Sequence, residues 1–262
     1  MTDRIIVEDR DGINHVVLNR PEAYNAFDLD MIRLLSETLV ERALNPKVTG
    51  VVLSGQGKAF CGGGDLAWIN SYGDNPSGAF RELAARFHQA ILEIRRMPKP
   101  VIAAINGPAA GGGFSMALAC DFRIMAASAV LRQAYTSNGL SMDGGGSFTL
   151  PRLVGMARAL EIAVFDRPMD AEKAYAWGLV TEVVEDGQAV DRADEMCREI
   201  TRGARASFAA SKRLITDSYT TPFEAQLENE RSLISWCAGQ PEGREGVAAF
   251  LQKRKPDFNP KS

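Results

Sequence analysis

Residues 100–127 read PVIAAINGPAAGGGFSMALACDFRIMAA. An apolar run, VIAAIN (101–106), leads through a glycine-rich turn into a short apolar helix. A second run, DFRIMAA (121–127), follows. Short apolar runs bounded by turn residues are typical of buried strands, and a strand–helix–strand order favours parallel pairing. The stretch therefore predicts one crossover unit of a parallel sheet.

The chain before this unit supplies further elements of the same kind. Residues 4–19 hold two β-rich runs around Asp11-Gly12, which is a strong signal for a hairpin. Asp28 is a favoured N-cap and precedes a run of helical periodicity. Residues 48–54 predict a buried strand, and residues 77–96 predict a helix that ends before Pro98.

The chain after this unit is mostly helical. One short strand is predicted at 179–184, and helices are predicted at 186–201, 206–219, 222–237 and 241–254. We expect an α/β protein with a core over residues 1–200. A helical region, 201–262, completes the same structural domain.

Composition excludes several classes of protein. The 262 residues include 30 Lys+Arg, 33 Asp+Glu, 24 Gly, 4 Cys and 2 His, with a net charge of −3. Because no broad basic field exists, we expect no nucleic-acid partner. We also expect no metal site, no membrane span and no signal peptide, since His is scarce and long apolar runs are lacking. Four dispersed cysteines without a CxxC pair fit a reducing cytoplasmic location.

Nine of the glycines form three triplets, at 62–64, 111–113 and 144–146. The second triplet follows a predicted strand and opens a predicted helix, so it presents backbone N–H groups where the helix dipole favours negative charge. Neither the P-loop pattern nor G-x-G-x-x-G is present. The alternative interpretation is a tight strand–helix turn that binds no ligand.

Several motifs together resemble the crotonase superfamily of enoyl-CoA hydratases and isomerases. They agree in order and spacing over nearly the whole chain. They are NRPEAYNAF (19–27), GKAFCGGGDL (57–66), PVIAAINGPAAGGGFSMALACD (100–121), LPRLVGMARALEI (150–162), DAEKAYAWGLV (170–180) and FLQKRKPDF (250–258).

The resemblance implies the crotonase (ClpP-like) fold of repeated β-β-α units, with C-terminal helices that form a homotrimer or a dimer of trimers. It also implies an acyl-CoA thioester as substrate, with no separate cofactor. The N–H groups of Gly64 and Gly112 would form an oxyanion hole for the thioester oxygen. The residues implied to bind CoA or substrate are Ala23, Tyr24, Lys58, Ala59, Phe60, Gly62, Asp65, Leu66, Phe250 and Lys253, the last two across a subunit interface.

The catalytic positions of the family depart from the hydratase pattern. The two glutamates of the hydratases are matched by Ser115 and Tyr135, so ordinary water addition is in doubt. Asp143 stands where some isomerases of the family carry a catalytic carboxylate, and one carboxylate suffices for a 1,3-proton shift. The alternative for Asp143 is an N-cap of a helix that begins near Gly145.

His88 is a second candidate, since it resembles the histidine that activates water in 4-chlorobenzoyl-CoA dehalogenase. The alternative is an ordinary helix residue. We therefore favour an enoyl-CoA isomerase with Asp143 as proton carrier and with Tyr135 and His88 shaping or polarising the pocket. The alternatives are a hydratase, a dehalogenase-like hydrolase and an acyl-CoA-binding pseudoenzyme.

Overall fold

The computed structural model describes residues 3–259. Six of its strands form the main sheet, in the order β1-β2-β3-β4-β6-β8, and β5 pairs with β7 in a second, two-stranded sheet. The strands are β1 (Ile5–Arg10), β2 (Ile13–Leu18), β3 (Gly50–Gly55), β4 (Val101–Ile105), β5 (Ala109–Ala110), β6 (Phe122–Ala126), β7 (Leu131–Arg132) and β8 (Glu182–Val184).

The hairpin and the parallel sheet predicted from the sequence are both confirmed. β1 and β2 pair in antiparallel fashion across Asp11 and Gly12, whose φ angles of 55° and 85° are those that a tight hairpin turn needs. From β2 onward, every neighbouring pair in the main sheet is parallel.

Helices connect the strands and make up most of the second half of the chain, as predicted. The Asp28 carboxylate accepts the Met31 N–H and caps the first helix. The helices are α1 (Leu29–Leu44), α2 (Leu66–Asn70), α3 (Pro76–Arg96), α4 (Gly112–Ala119), α5 (Gly146–Val154), α6 (Met156–Phe165), α7 (Ala171–Ala176), α8 (Ala189–Arg202), α9 (Arg205–Asp217), α10 (Phe223–Gly239) and α11 (Pro241–Leu251).

The core lies around β3 and β4, whose residues are all buried. Both strands are covered because α8 packs across β3, β4 and β6. A Cβ on Gly50 would lie 2.3 Å from the Cys197 sulfur of α8, so this close approach requires glycine. Helices α9–α11 pack on one another and α9 packs on α8. In the described part of the chain, no helix is both long and apolar enough to cross a membrane.

The carboxyl ends of β3 and β4 lie at one edge of the sheet, since the two strands are parallel. Asn106 joins the end of β4 to the end of β3. Its side-chain N–H groups donate to the Gly55 and Gly57 carbonyls, and its side-chain oxygen accepts the Gly55 N–H. The loop after each strand carries one glycine triplet. Ligand sites of open α/β sheets occur at this edge, and the candidate site lies there.

Candidate active site

The first two glycine triplets lie side by side. The Ala110 N–H donates to the Cys61 carbonyl over 2.9 Å, and Cys61 and Ala109 form a parallel bridge. A Cβ built on Gly63 would lie 2.9 Å from the Gly112 nitrogen. The structure therefore brings the loop after β3 into contact with the N-terminus of α4.

Two neighbouring backbone N–H groups are left unused by this arrangement. Phe27 donates to the Gly63 carbonyl and accepts from the Asp65 N–H, which holds the chain on both sides of Gly64. Within residues 3–259, neither the Gly64 N–H nor the Gly112 N–H donates to a protein acceptor. Gly112 also opens α4, whose dipole places partial positive charge there. Two such donors can stabilise one oxygen anion.

An aromatic pair packs beneath this site. The Phe27 and Phe87 rings lie 4.8 Å apart between centroids. A Cβ on Gly112 would lie 2.6 Å from Phe27, and a Cβ on Gly144 would lie 2.3 Å from Phe87. Gly112 therefore rests against both rings and Gly144 against Phe87, so glycine is required at both positions.

Asp65 and Arg20 anchor the loop of the first triplet. Asp65 caps α2 by accepting the Ala67 and Trp68 N–H groups, and it accepts a 2.9 Å hydrogen bond from Arg20. Burial alone would raise the pKa of Asp65, but the hydrogen bonds and the Arg20 charge outweigh it, and the net shift is downward. The structure thus gives Asp65 a capping and bracing position.

Ser115 and Tyr135 contact each other at the positions where the hydratases carry glutamates. Their side-chain oxygens lie 3.3 Å apart, and both residues are buried. Burial raises the pKa of the Tyr135 phenol, and the hydrogen bond with Ser115 offsets only part of that shift. The phenol is therefore neutral near pH 7, and the pair contains no carboxylate.

Asp143 and His88 meet although 55 residues separate them. The His88 Nε2 lies 2.5 Å from the Asp143 Oδ1, and the two side chains are 52% and 36% exposed. The alternative interpretation of Asp143 as an N-cap is wrong, because Gly145 is the N-cap of α5 and no side chain caps that helix. Gly144 and Gly145 both have positive φ, which moves the start of the helix beyond the aspartate.

Asp143 lines a cavity of about 430 Å³ between α3 and the segment before α5. Tyr135 also lines it, which places the phenol and the carboxylate in one chamber. The remaining lining residues are Ser77, Phe80, Arg81, Ala84, Leu140, Ser141 and Met142. The cavity therefore combines an apolar wall with a carboxylate, and its volume suits a partly apolar small molecule.

The residues implied to bind CoA fall into three groups in the structure. The first group borders the first triplet. Tyr24 is exposed and its carbonyl accepts the Gly62 N–H, and Lys58 and Leu66 flank the same triplet in the chain. Ala59 and Phe60 are buried and offer only their backbone. Phe250 and Lys253 form the third group, at the C-terminal end of the described chain.

Phe250 is 82% exposed on α11, which packs on α9 and α10, and Lys253 follows this helix. Neither residue lines the cavity in a single chain. Their implied role therefore stays a prediction about an assembly of subunits.

Sequence reasoning missed the residues that hold and shape the site from a distance. Asn25 is fully buried, and its amide donates to the Gln56 and Ala59 carbonyls. The second Asn of NRPEAYNAF, which is Asn25, was a usable signal for this role. Arg81 and Phe80 were missed because helical periodicity does not reveal what a helix face contacts.

Two other candidate chemistries find no support in the site. Burial raises the pKa of the Cys61 thiol to about 12, so it is not a thiolate nucleophile near neutral pH. In the described ranges, no group of three or more His, Cys, Asp or Glu side chains is arranged to hold a metal ion.

Comparisons with known proteins agree with this geometry. The family model for enoyl-CoA hydratase/isomerase matches residues 8–261. The chain is 34% identical to 1,2-epoxyphenylacetyl-CoA isomerase of Escherichia coli K12, with all of both chains covered. It is 40% identical to a protein of Rhodobacter capsulatus named "Probable enoyl-CoA hydratase", with 96% of each covered.

Two further similarities extend the comparison. The chain is 32% identical to 4-chlorobenzoyl coenzyme A dehalogenase-2 of an Arthrobacter species, with 95% of this chain and 91% of that one covered. The crystal structure of an enoyl-CoA hydratase from Polaromonas sp. JS666 superimposes with a TM-score of 0.91 at 35% identity, covering 97% and 99% of the two chains. The chain therefore has the crotonase fold and belongs to the enoyl-CoA hydratase/isomerase family.

Proposed function

We propose that this protein is an acyl-CoA isomerase that moves a carbon–carbon double bond through a thioester enolate. The observation that carries the proposal is the placement of Asp143. Its carboxylate lines the acyl-sized cavity, while the two glutamate positions of the hydratases hold the neutral Ser115–Tyr135 pair.

The first part of the reaction is stabilisation of negative charge. When a proton leaves carbon 2 of a 3-enoyl thioester, the electron pair moves onto the thioester oxygen. The unused N–H groups of Gly64 and Gly112 are the donors for this oxygen. A donor in such a hole contributes about 3–4 kcal/mol to the transition state.

The second part is the proton shift itself. Asp143 as the carboxylate removes a proton from carbon 2 and returns it to carbon 4, while the double bond moves to carbons 2 and 3. The carboxylate is regenerated, so no water, metal or redox partner is consumed. His88 holds Oδ1 of Asp143 and leaves the other carboxylate oxygen to face the substrate.

Three features support an isomerase over a hydratase. Water addition needs acid and base groups that hold and split a water molecule. Ser115 and Tyr135 supply no carboxylate, and burial raises the pKa of the Tyr135 phenol so that it stays neutral. The 1,2-epoxyphenylacetyl-CoA isomerase is similar over its full length. A single carboxylate is also what a 1,3-proton shift requires.

The proposal is tested with a panel of 3-enoyl-, 2-enoyl-, dienoyl- and 4-haloaryl-CoA thioesters. Wild type and Asp143→Asn are compared by product analysis. We expect wild type to convert 3-enoyl thioesters and the variant to lose that conversion while still binding a saturated acyl-CoA. Failure of wild type to convert any unsaturated thioester would support the pseudoenzyme, and water addition as the main reaction would support the hydratase.

One observation favours a second candidate, a dehalogenase-like hydrolase. The His88–Asp143 contact would suit a reaction in which the Asp143 carboxylate displaces halide from the ring of a haloaryl-CoA and forms an aryl ester. Water activated by His88 would then hydrolyse the ester and release a phenol. Halide release, with a covalent adduct on Asp143 that accumulates in His88→Gln, would establish this function.

We further propose that the protein is a cytoplasmic homotrimer or dimer of trimers. The helical region beyond residue 201 supports this, because it exposes large apolar side chains whose contact with water is energetically unfavourable. They include Phe223, Ile234, Trp236, Val247, Phe250 and Leu251. Light scattering coupled to size exclusion measures the assembly, and a monomer at micromolar concentration would contradict it.

A further inference from the structure

The cavity beside Asp143 has a second charged residue that the mechanism does not use. Arg81 and Asp143 are the only charged residues among those that line the cavity in the described part of the chain. Across residues 3–259, no carboxylate lies within 4.0 Å of the Arg81 guanidinium, and Asp143 is paired with His88 instead. The cavity therefore contains a guanidinium without a protein counter-charge.

Arg81 and the His88 partner of Asp143 lie at different levels along α3. Ser77, Arg81, Ala84 and His88 recur at helical spacing, so they share one face of α3. His88 marks the Asp143 end, and Arg81 precedes it by two turns, or about 10 Å along the helix axis. Arg81 therefore stands about two turns from the proton-transfer end, toward the N-terminus of α3.

The electrostatics of that end favour an anion. The first turn of α3 carries no acidic side chain, and its only side-chain cap is the neutral Asn75 amide, which accepts the Gly78 N–H. The cavity wall also carries the apolar side chains of Phe80, Leu140 and Met142. A ligand that matches these features has a thioester at one end, an apolar middle and a carboxylate at the other end.

We propose that the acyl pocket selects thioesters whose acyl chain ends in a carboxylate, with Arg81 as the specificity-determining residue. This inference rests on the proposed function, since it concerns the acyl group in the same cavity. The planar guanidinium would donate two parallel hydrogen bonds to the distal carboxylate. A chain too short to reach Arg81 would instead place its carboxylate near Asp143, where like charges repel.

Binding of unreactive ligands tests the inference without any need for turnover. Pairs of saturated acyl-CoA thioesters of equal carbon number, one methyl-ended and one carboxylate-ended, are titrated calorimetrically over graded chain lengths. We expect wild type to bind the carboxylate-ended member about tenfold more tightly at the best length, as a charge-assisted hydrogen bond provides. At shorter lengths the preference should vanish or reverse.

Three variants of α3 make the test specific. Arg81→Gln should bring the two affinities within about twofold of each other, whereas Arg81→Lys should keep part of the preference. Arg86→Gln is the matched control, because Arg86 is also exposed on α3 but does not line the cavity. Equal affinities in wild type, or a preference that survives in Arg81→Gln, would overturn the inference.

The same pairs as 3-enoyl thioesters then separate this inference from the proposed function. If neither member is isomerised yet the affinity ratio depends on Arg81, the proposed reaction fails while the specificity stands. If both are isomerised at equal kcat/KM in wild type and in Arg81→Gln, the reaction stands and the specificity fails.

Discussion

The His88 Nε2 lies 2.5 Å from the Asp143 Oδ1, which joins the middle of α3 to the loop before α5. The contact fixes one carboxylate oxygen at the cavity that Asp143 lines. A base that must reach two carbons of one substrate benefits from such fixing, because small displacements of reacting atoms have large effects on rate.

His88→Gln should therefore lower kcat for isomerisation by about tenfold, since the carboxylate loses the hydrogen bond that orients it. KM should change by no more than about twofold, because His88 is not among the residues that line the cavity. Steady-state kinetics on a 3-enoyl-CoA measures both constants. A large rise in KM with unchanged kcat would show that His88 binds substrate instead of positioning the base.

Gly63→Ala should disturb the oxyanion hole. Its Cβ would lie 2.9 Å from both the Gly112 nitrogen and the Ala110 carbonyl, so the two loops must separate. Displacing one donor should reduce kcat by about 10²–10³-fold. Gly73→Ala is the matched control, because Gly73 also has a positive φ but its Cβ would meet nothing within 4 Å. Equal losses of kcat in both variants would assign the effect to backbone strain.

Tyr135→Phe should show whether the Tyr135 phenol contributes to stability or to catalysis. The Ser115 hydroxyl would lose its phenol partner inside the protein, so the free energy of unfolding should fall by about 1 kcal/mol. Isomerisation should stay within about tenfold of wild type, because the proton carrier is a carboxylate elsewhere. Denaturant unfolding and kinetics give the two values, with Ser115→Ala for comparison. Loss of all isomerisation would make the phenol a proton donor.

The buried His15 should make the stability of the protein depend on pH. Burial lowers the pKa of His15 from 6.5 despite its 2.7 Å contact with Asp194, and its Nδ1 has no hydrogen-bond partner. The folded protein then binds fewer protons than the unfolded chain, so stability present at neutral pH is lost as the pH falls through 6.5 toward the folded pKa.

The free energy of unfolding should accordingly fall as the pH is lowered from 7 to 5. Denaturant unfolding at each pH measures it. His15→Asn should reduce this dependence of stability on pH. Asp194 contributes at more acidic pH, because hydrogen bonds from His15 and Arg198 outweigh its burial and lower its pKa. The same slope in wild type and His15→Asn would exclude His15 as its source.

The elements that local chemistry specifies could be predicted from the sequence. Asp11-Gly12 favours one turn type and Asp28 caps one helix, so the hairpin and α1 are correct within a residue or two. The N-cap of α5 could not be predicted in this way. Two successive glycines with positive φ, at 144 and 145, displace the cap from the aspartate that precedes them.

Contacts between distant segments were beyond local reasoning. The Ser115–Tyr135 hydrogen bond and the His88–Asp143 contact depend on how α3, α4 and the loop before α5 pack together. Family resemblance indicated the positions of these four residues but not their pairing. Arg81 left no signal at all, because an exposed arginine on a helix is ordinary until a cavity is seen beside it.

Deuterium transfer shows whether Asp143 carries the proton of the double-bond shift. The Asp143 carboxyl is 36% exposed, so in D₂O it should exchange the proton taken from carbon 2 for deuterium before it returns one. Wild type should therefore incorporate deuterium at carbons 2 and 4 of an enoyl-CoA as the double bond moves, observed by NMR. Asp143→Asn should exchange at least about 10²–10⁴-fold more slowly while its binding of a saturated acyl-CoA and its thermal unfolding match wild type. Exchange at the wild-type rate in the folded Asp143→Asn variant would contradict the account.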